Sequence, residues 1–388
     1  MALRSKLPQV GTTIFTVMSR RAAELGAVNL GQGFPDYDID PRLGELTAQA
    51  MREGFNQYAP MPGLPRLREA IAAKLARRYG CQLDSDAEIT VTLGATEAIY
   101  SSVQALVGSG EEAIVFDPAY DSYDIAIQLD GARCVHVPLE PPHFRYDWDR
   151  VRDVITPRTR LIIINSPLNP GCTCVTAEDM LTLAQLLRSR DIRVISDEVY
   201  EHIVFDGLEH HSVLKFPELR ERSVAVYSFG KTLHATGLRV GYAVAPPAIT
   251  TELRKVHQFN TFTIATALQQ AIAGYLSEKP LCGEALGPFF TAKRDLLVQQ
   301  LQGSGLMLPR AEGSFFQLID YGALSRAGDL EFAEQLLTQA RVATIPLSVF
   351  YEHPPAMTLL RLCFAKRDET LIDGAARLMA CLHRGAVA

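Results

Sequence analysis

At 388 residues the chain exceeds what one compact core ordinarily serves, so two lobes are expected. Apolar residues make up 47% and charged residues 21%, the composition of a packed globular protein, which excludes disorder as the default. With 38 basic against 44 acidic residues, a net charge of -6 and no run of five like charges, no basic face is expected for nucleic acid or an anionic membrane.

In chain order, Met1 to Val10 carries Arg4 and Lys6 with no apolar stretch behind them, so no secretory leader is expected. No segment approaches the roughly 20 consecutive apolar residues of a membrane span. Ile89 to Thr92 predicts a strand ending at Gly94, and Thr96 to Val107 a helix. Glu112 to Phe116 predicts the next strand, and Arg160 to Asn165 another, apolar on both faces. Ala177 to Arg190 reads as helix, Ile192 to Ile195 as strand running into Ser196-Asp197-Glu198, and Ser223 to Ser228 as strand before a glycine turn. β-branched runs alternating with helices indicate a mostly parallel sheet covered on both sides. From about Pro280 the pattern changes to a second α+β lobe. Lys293 to Gly303 is helical, Ser314 to Leu318 a half-buried strand and Leu330 to Gln339 helical. Ala343-Thr344-Ile345 and Leu359 to Phe364 are strands, and Glu369 to His383 is the last helix.

Ligands bind where parallel strands end. Thr96, Asn165, Asn169, Asp197, Tyr200, Ser228 and Lys231 gather at such ends. Ser228-Phe229-Gly230-Lys231 places an amine just past a strand, with Arg239 eight positions on. Burial or a nearby cation lowers a lysine pKa and makes it a nucleophile toward an aldehyde. Serine and arginine beside it suit a phosphate. Asp197, at the end of a buried strand, needs a partner; it either caps a helix or pairs with a ring N–H. Asn165-Ser166-Pro167-Leu168-Asn169-Pro170 makes a rigid turn that fixes Asn169 and leaves the isomer of the Asn169-Pro170 bond open. Leu93-Gly94-Ala95-Thr96-Glu97 opens a helix with free N–H groups, a generic phosphate site. Gly31-Gln32-Gly33-Phe34-Pro35 is not a dinucleotide fingerprint.

The seven cysteines, Cys81, Cys134, Cys172, Cys174, Cys282, Cys363 and Cys381, include no CxxC pair, so free thiols of a reducing, cytoplasmic protein are expected. Cys172-Thr173-Cys174 lacks a second ligand pair at finger-like spacing, and no metal site is expected.

Taken in order, eight segments resemble the class I/II aminotransferases, the fold type I enzymes that use pyridoxal 5'-phosphate. They begin with Gly31-Gln32-Gly33-Phe34-Pro35, Asn56-Gln57-Tyr58, Gly94-Ala95-Thr96-Glu97-Ala98 and Asp117-Pro118-Ala119-Tyr120. Asn165 to Pro170, Ser196 to Tyr200, Ser228 to Lys231 and Arg361-Leu362-Cys363-Phe364-Ala365 complete the set. The chain is most similar to the branch holding methionine aminotransferases and kynurenine/glutamine transaminases. The resemblance implies an α/β fold: a large domain with a mostly parallel seven-stranded sheet under helices, plus a smaller α+β domain. It divides the chain into an N-terminal arm and part of the small domain at 1–40, a cofactor domain at 41–280 and the C-terminal small domain at 281–388.

Residue by residue, the resemblance makes Lys231 the Schiff-base lysine and proton shuttle. Asp197 pairs the ring nitrogen, Tyr200 and Asn169 contact the phenolate oxygen, and Tyr120 stacks on the ring. Ala95, Thr96, Ser228 and Arg239 hold the phosphate, with Tyr58 reaching it from the partner of a homodimer whose active sites lie at the subunit interface. Arg361 grips the substrate carboxylate beside the Gly33 backbone, and Phe34 with Tyr120 walls an apolar or aromatic side chain. His234 and Gly171-Cys172 depart from the usual family pattern. The implied activity is ping-pong transfer of the amino group of methionine, an aromatic amino acid or glutamine to a 2-oxo acid. A cysteine-S-conjugate β-lyase and a kynurenine-oxoglutarate transaminase would share the same cofactor residues.

Overall fold

The computed structural model describes residues 5–385, so the first four residues of the segment read against a leader, Arg4 among them, lie outside it. In chain order the strands are β1 (Val28–Asn29), β2 (Ile89–Thr92), β3 (Glu112–Asp117), β4 (Arg133–Pro138), β5 (Thr159–Asn165) and β6 (Arg193–Asp197). They continue with β7 (Ser223–Ser228), β8 (Gly241–Val244), β9 (Phe316–Asp320), β10 (Val342–Ala343), β11 (Ile345–Pro346) and β12 (Leu359–Cys363). β2 to β8 form one seven-stranded sheet in the order β2-β8-β7-β6-β5-β3-β4. Only β8 runs against its neighbours. This is the mostly parallel α/β architecture that the sequence implies.

The apolar run Leu161 to Ile164 is buried on both sides because alternate side chains enter different cores. Leu161 and Ile163 meet Ile195, Val224 and the helix Gly94–Leu106 through Ile99 and Val103. Ile162 and Ile164 face the opposite core with Val194, Ala225 and Tyr227. With both faces covered, the open place for a ligand is the edge where β5, β6 and β7 end.

The second lobe carries a three-stranded sheet, β11-β12-β9, and a two-stranded pair in which β1 lies parallel to β10. The expected strand Ala343-Thr344-Ile345 therefore splits at buried Thr344, its halves serving different sheets. The helix expected to Gln339 starts at Asp329 and loosens to a π turn at Leu336–Ala340 before Arg341 takes φ +57°. The strand expected from Ser314 begins at Phe316, because Ser314 sits at φ +69°. The helix expected to Arg190 ends at Leu187, where the Arg222 guanidinium takes up the carbonyls of Leu187 and Arg190. Among the described residues no helix is long and apolar enough to cross a membrane.

Candidate active site

β5, β6 and β7 deliver Asn165, Asp197 and Ser228 to one edge, and Asn165 and Asp197 are register partners. Asn165 Nδ2 donates to the Asp197 carbonyl at 2.9 Å, while its Oδ1 accepts from the Asn169 N–H at 2.8 Å. The turn thus hangs Asn169 from the strand end. The Asn169-Pro170 bond is cis, as is Ser166-Pro167. A cleft of about 130 Å³ opens here, lined by Tyr120, Asn169, Asp197, Tyr200, Ser228 and Lys231. Ala95, Thr96 and Arg239 close one end. A larger hollow of about 380 Å³ beside Arg78, His202 and Gly283 contains none of these groups.

Lys231 sits in the short helix Phe229–Thr232 that follows β7. Its Nζ lies 3.5 Å from the Gly33 carbonyl and 5.0 Å from the Phe315 ring centre. Burial lowers its pKa to about 8, with Arg239 and Arg361 pushing the same way against Cys363 and Asp197. At neutral pH and slightly above, this amine gives up its proton far more readily than a surface lysine.

Asp197 does not cap a helix. Burial raises its pKa to about 6, opposed by the Tyr123 hydroxyl at 2.5 Å and the Val199 N–H at 3.3 Å. Among the described residues no cation forms a salt bridge with it. A buried carboxylate that feels Lys231 only at a distance calls for a positively charged partner in contact, and a protonated ring nitrogen is one.

The phosphate end is assembled from backbone. Helix Gly94–Leu106 has no side-chain cap at its start, so its first N–H groups stay available beside Ala95 and Thr96. A Cβ on Gly94 would come 2.9 Å from Arg239 Nη2, so the guanidinium rests directly on that turn. Among the described residues Arg239 spends one donor on protein, to the Thr236 carbonyl. Gly241 permits the approach: a Cβ there would meet the Gly94 carbonyl carbon, Ala95 N and Tyr227 O at 2.7 Å. An aldehyde-reactive amine, an unpaired buried carboxylate and a cationic N–H cradle fit pyridoxal 5'-phosphate at its three polar points.

Arg361 comes from β12 and is fully buried. Its Nη1 donates to Asn169 Oδ1 at 2.7 Å and its Nη2 to the Gly31 carbonyl at 2.9 Å. The guanidinium stacks 3.9 Å from the centre of Phe316. A Cβ on Gly33 would strike Phe316 Cζ at 2.7 Å, so this residue too is a close-approach glycine.

Two expected residues are not brought to the cleft. Phe34 is 40% exposed, with Lys366 Nζ bonded to its carbonyl and lying over its ring, on a different surface hollow. Tyr58 is 84% exposed and packs edge-on against Phe262. His234 belongs to an aromatic cluster with Tyr37, Phe289 and Phe290, where burial lowers its pKa to about 4. Tyr123 and Phe316 are site residues that the sequence reading missed. Tyr123 lies three residues beyond Tyr120, just inside the helix that follows it, and that spacing was the available signal.

Residues 26–378 match the family model for aminotransferase class I and II. The chain is 51% identical over 375 residues to the methionine aminotransferase of Escherichia coli, covering 97% of each protein. A crystal structure of YbdL from Escherichia coli, described as having a methionine aminotransferase function, superposes with a TM-score of 0.96 at 50% identity, over 98% of this chain and 100% of that one. The structure of N-succinyldiaminopimelate aminotransferase from Mycobacterium tuberculosis gives 0.93 at 38% identity, over 98% and 100%. The chain is a class I and II aminotransferase of fold type I, a family that works with pyridoxal 5'-phosphate.

Proposed function

We propose that this enzyme transfers the amino group of L-methionine, and of other apolar or aromatic amino acids, to a 2-oxo acid by ping-pong kinetics. The observation that carries the reading is the buried Lys231 amine, its pKa drawn down to about 8, lining a cleft shared with Asp197 and Arg239. The 51% identity to the Escherichia coli methionine aminotransferase supports the donor.

When bound, the cofactor supplies an aldehyde that captures the substrate amine and a ring that accepts electrons from Cα. Lys231 would take the Cα proton and return it at the carbon that carried the aldehyde, two bonds away, its low pKa and proximity both serving a base. Asp197 keeps the ring nitrogen protonated, with Tyr123 holding the carboxylate in line. Arg361 receives the substrate carboxylate, a fork already oriented by Asn169, Gly31 and Phe316. Since Asn169 Oδ1 accepts from Arg361, its amide N–H₂ is left to donate elsewhere, and with the Tyr200 hydroxyl it would hold the phenolate oxygen. Tyr120 stacks on the ring. Ser228, Arg239 and the N–H groups of Ala95 and Thr96 hold the phosphate.

We assign residues 1–40, as an N-terminal arm and part of the small domain, together with 281–388 to one domain and 41–280 to the other, supported by the pairing of β1 with β10. We assign a homodimer in which Tyr58 enters the neighbouring cleft. Its exposure, beside exposed Phe259 and Phe262, supports an apolar contact surface there. A cytoplasmic location is supported by seven free cysteines.

The test is a panel of amino donors and 2-oxo acid acceptors read by product formation. Methionine is expected to turn over to its 2-oxo acid only when an acceptor is supplied, with no more than about one equivalent per active site released without it. Acceptor-independent release of pyruvate and ammonia from a cysteine conjugate, with no turnover of methionine, would overturn the reading in favour of a β-lyase.

A further inference from the structure

Away from the cleft, one cluster of metal-ligating side chains stands out among the described residues. The ligand atoms of Asp124, Cys134 and His136 all lie within 4.8 Å of one another. We propose that these three side chains bind a divalent transition metal of the zinc class at the outer edge of the large sheet.

The fold builds this arrangement from two elements. β4 is the last strand of the sheet, and Cys134 and His136, two apart, share one of its faces. The helix Ser122–Leu129 packs beside that strand and supplies Asp124. His136 Nε2 stands 3.7 Å from Asp124 Oδ1. Tetrahedral zinc, with bonds of about 2.0–2.3 Å, sets neighbouring ligand atoms about 3.3–3.7 Å apart, so the cluster is near the required span.

The surroundings orient the ligands. Asp117 Oδ1 lies 2.8 Å from His136 Nδ1, which fixes the ring and turns Nε2 toward Asp124 and Cys134. A carboxylate behind a histidine in this way is the usual support of a metal-bound imidazole. Gln128 Nε2 donates to both Asp124 oxygens, at 2.8 and 2.7 Å, and steadies that carboxylate. The His136 side chain is 17% exposed and that of Asp124 24%, leaving a path for the ion and room for water as a fourth ligand. Thiolate with imidazole selects zinc-like ions over magnesium or calcium. On binding, the Cys134 S–H bond breaks heterolytically, its electron pair forms the sulfur–metal bond, and the proton passes to solvent. None of the three residues lines the cofactor cleft.

The experiment uses the holoenzyme. Native mass spectrometry with added Zn²⁺ should find one ion per chain. Co²⁺ in its place should give tetrahedral d–d bands to the red of the cofactor absorption. C134S and H136N should lose both signals, and D117N should weaken binding by about 10–100-fold. C282S, at a half-buried thiol elsewhere, should bind as the parent does. X-ray absorption of the zinc-loaded parent should show one sulfur at about 2.3 Å, which decides the matter even where a variant fails to fold. No stoichiometric ion, a sulfur-free shell, or binding that survives in C134S and H136N overturns the proposal.

Discussion

Tyr123 donates its hydroxyl to Asp197 Oδ2 at 2.5 Å, tying the helix Ser122–Leu129 to the end of β6. The bond opposes the effect of burial, which holds the Asp197 pKa up near 6. With the phenol gone, the charged carboxylate loses a donor and its pKa rises further. In the cofactor-stripped protein Asp197 is ionised above about pH 6, so cofactor affinity should strengthen as pH rises through that value. Y123F should move this limb upward and weaken affinity at neutral pH by about 10–100-fold, the worth of one charged hydrogen bond. Cofactor titrations across pH on both proteins read the difference, since the cofactor's own ionisations are common to both. Superimposable curves would sink the assignment.

Lys231 is expected to be the group whose removal stops proton transfer. K231A should lose at least about 10⁴-fold in turnover, the upper range for a positioned acid–base group. It should keep the cradle of Arg239 and the Gly94 turn, so the purified variant should still bind cofactor noncovalently. Product assays with methionine together with an absorbance titration separate the two effects. Turnover within tenfold of the parent would be incompatible with the role.

Much of this site was legible because a covered parallel sheet leaves ligands one place to bind. Asn165, Asp197, Ser228 and Lys231 follow from the strands they terminate or succeed. What escaped depends on contacts between distant segments. Tyr123 reads as one more core aromatic until its helix is set against β6. Phe316 matters only because β9 and β12 pair so that its ring lies under Arg361. β8 begins at a glycine, which weakens a strand signal that is only four residues long, and edge strand β4 alternates weakly because its outer side is open. Spacing found no second partner for the Cys172 pair, and equally could not join Asp124 to Cys134 and His136. Those three meet only through the packing of a helix on an edge strand.

Arg361 presents a planar fork rather than a point charge. One arm holds Asn169, another holds the Gly31 carbonyl, and the flat face covers Phe316. Lysine retains the charge but cannot satisfy both bonds and the stacking together. R361K should therefore raise KM for methionine by about 10–100-fold, corresponding to one lost charged bond. Cofactor affinity should fall less than that, because Arg361 is away from the phosphate cradle and reaches the cofactor only through its bond to Asn169. Equal losses in both constants would place Arg361 in cofactor binding instead.

Gly241 tests the cradle from behind. Any side chain there meets three backbone atoms at 2.7 Å, and backbone cannot rotate away. G241A should push the Gly94-Ala95 turn out of line, cost about 1–3 kcal/mol of stability and weaken cofactor binding. G44A, at a helical glycine whose Cβ would meet nothing within 4 Å, is the control and should be neutral or slightly stabilising. Thermal melts and cofactor titrations of the two variants should diverge; a G241A protein matching the parent in both would remove the close-packed cradle from the account.

Glu201 is 2% exposed in its side chain and pairs with Lys74, itself only 9% exposed, while Tyr79 and Tyr242 complete the network. Burial alone would raise the Glu201 pKa, yet Lys74 and Arg78 hold it well below the usual carboxylate range. A carboxylate depressed in the folded state adds stability that is fully present above its unfolded pKa and fades as pH falls through the folded value. At neutral pH, E201Q leaves the Lys74 ammonium buried without its counter-charge and should cost about 3–5 kcal/mol. Replacing both partners, K74M with E201Q, should recover part of that loss, because the buried ammonium goes too and only the partly exposed Arg78 is left without Glu201. Urea unfolding of the two singles and the double measures the coupling. Additive losses would mean that the pair does not act as a unit.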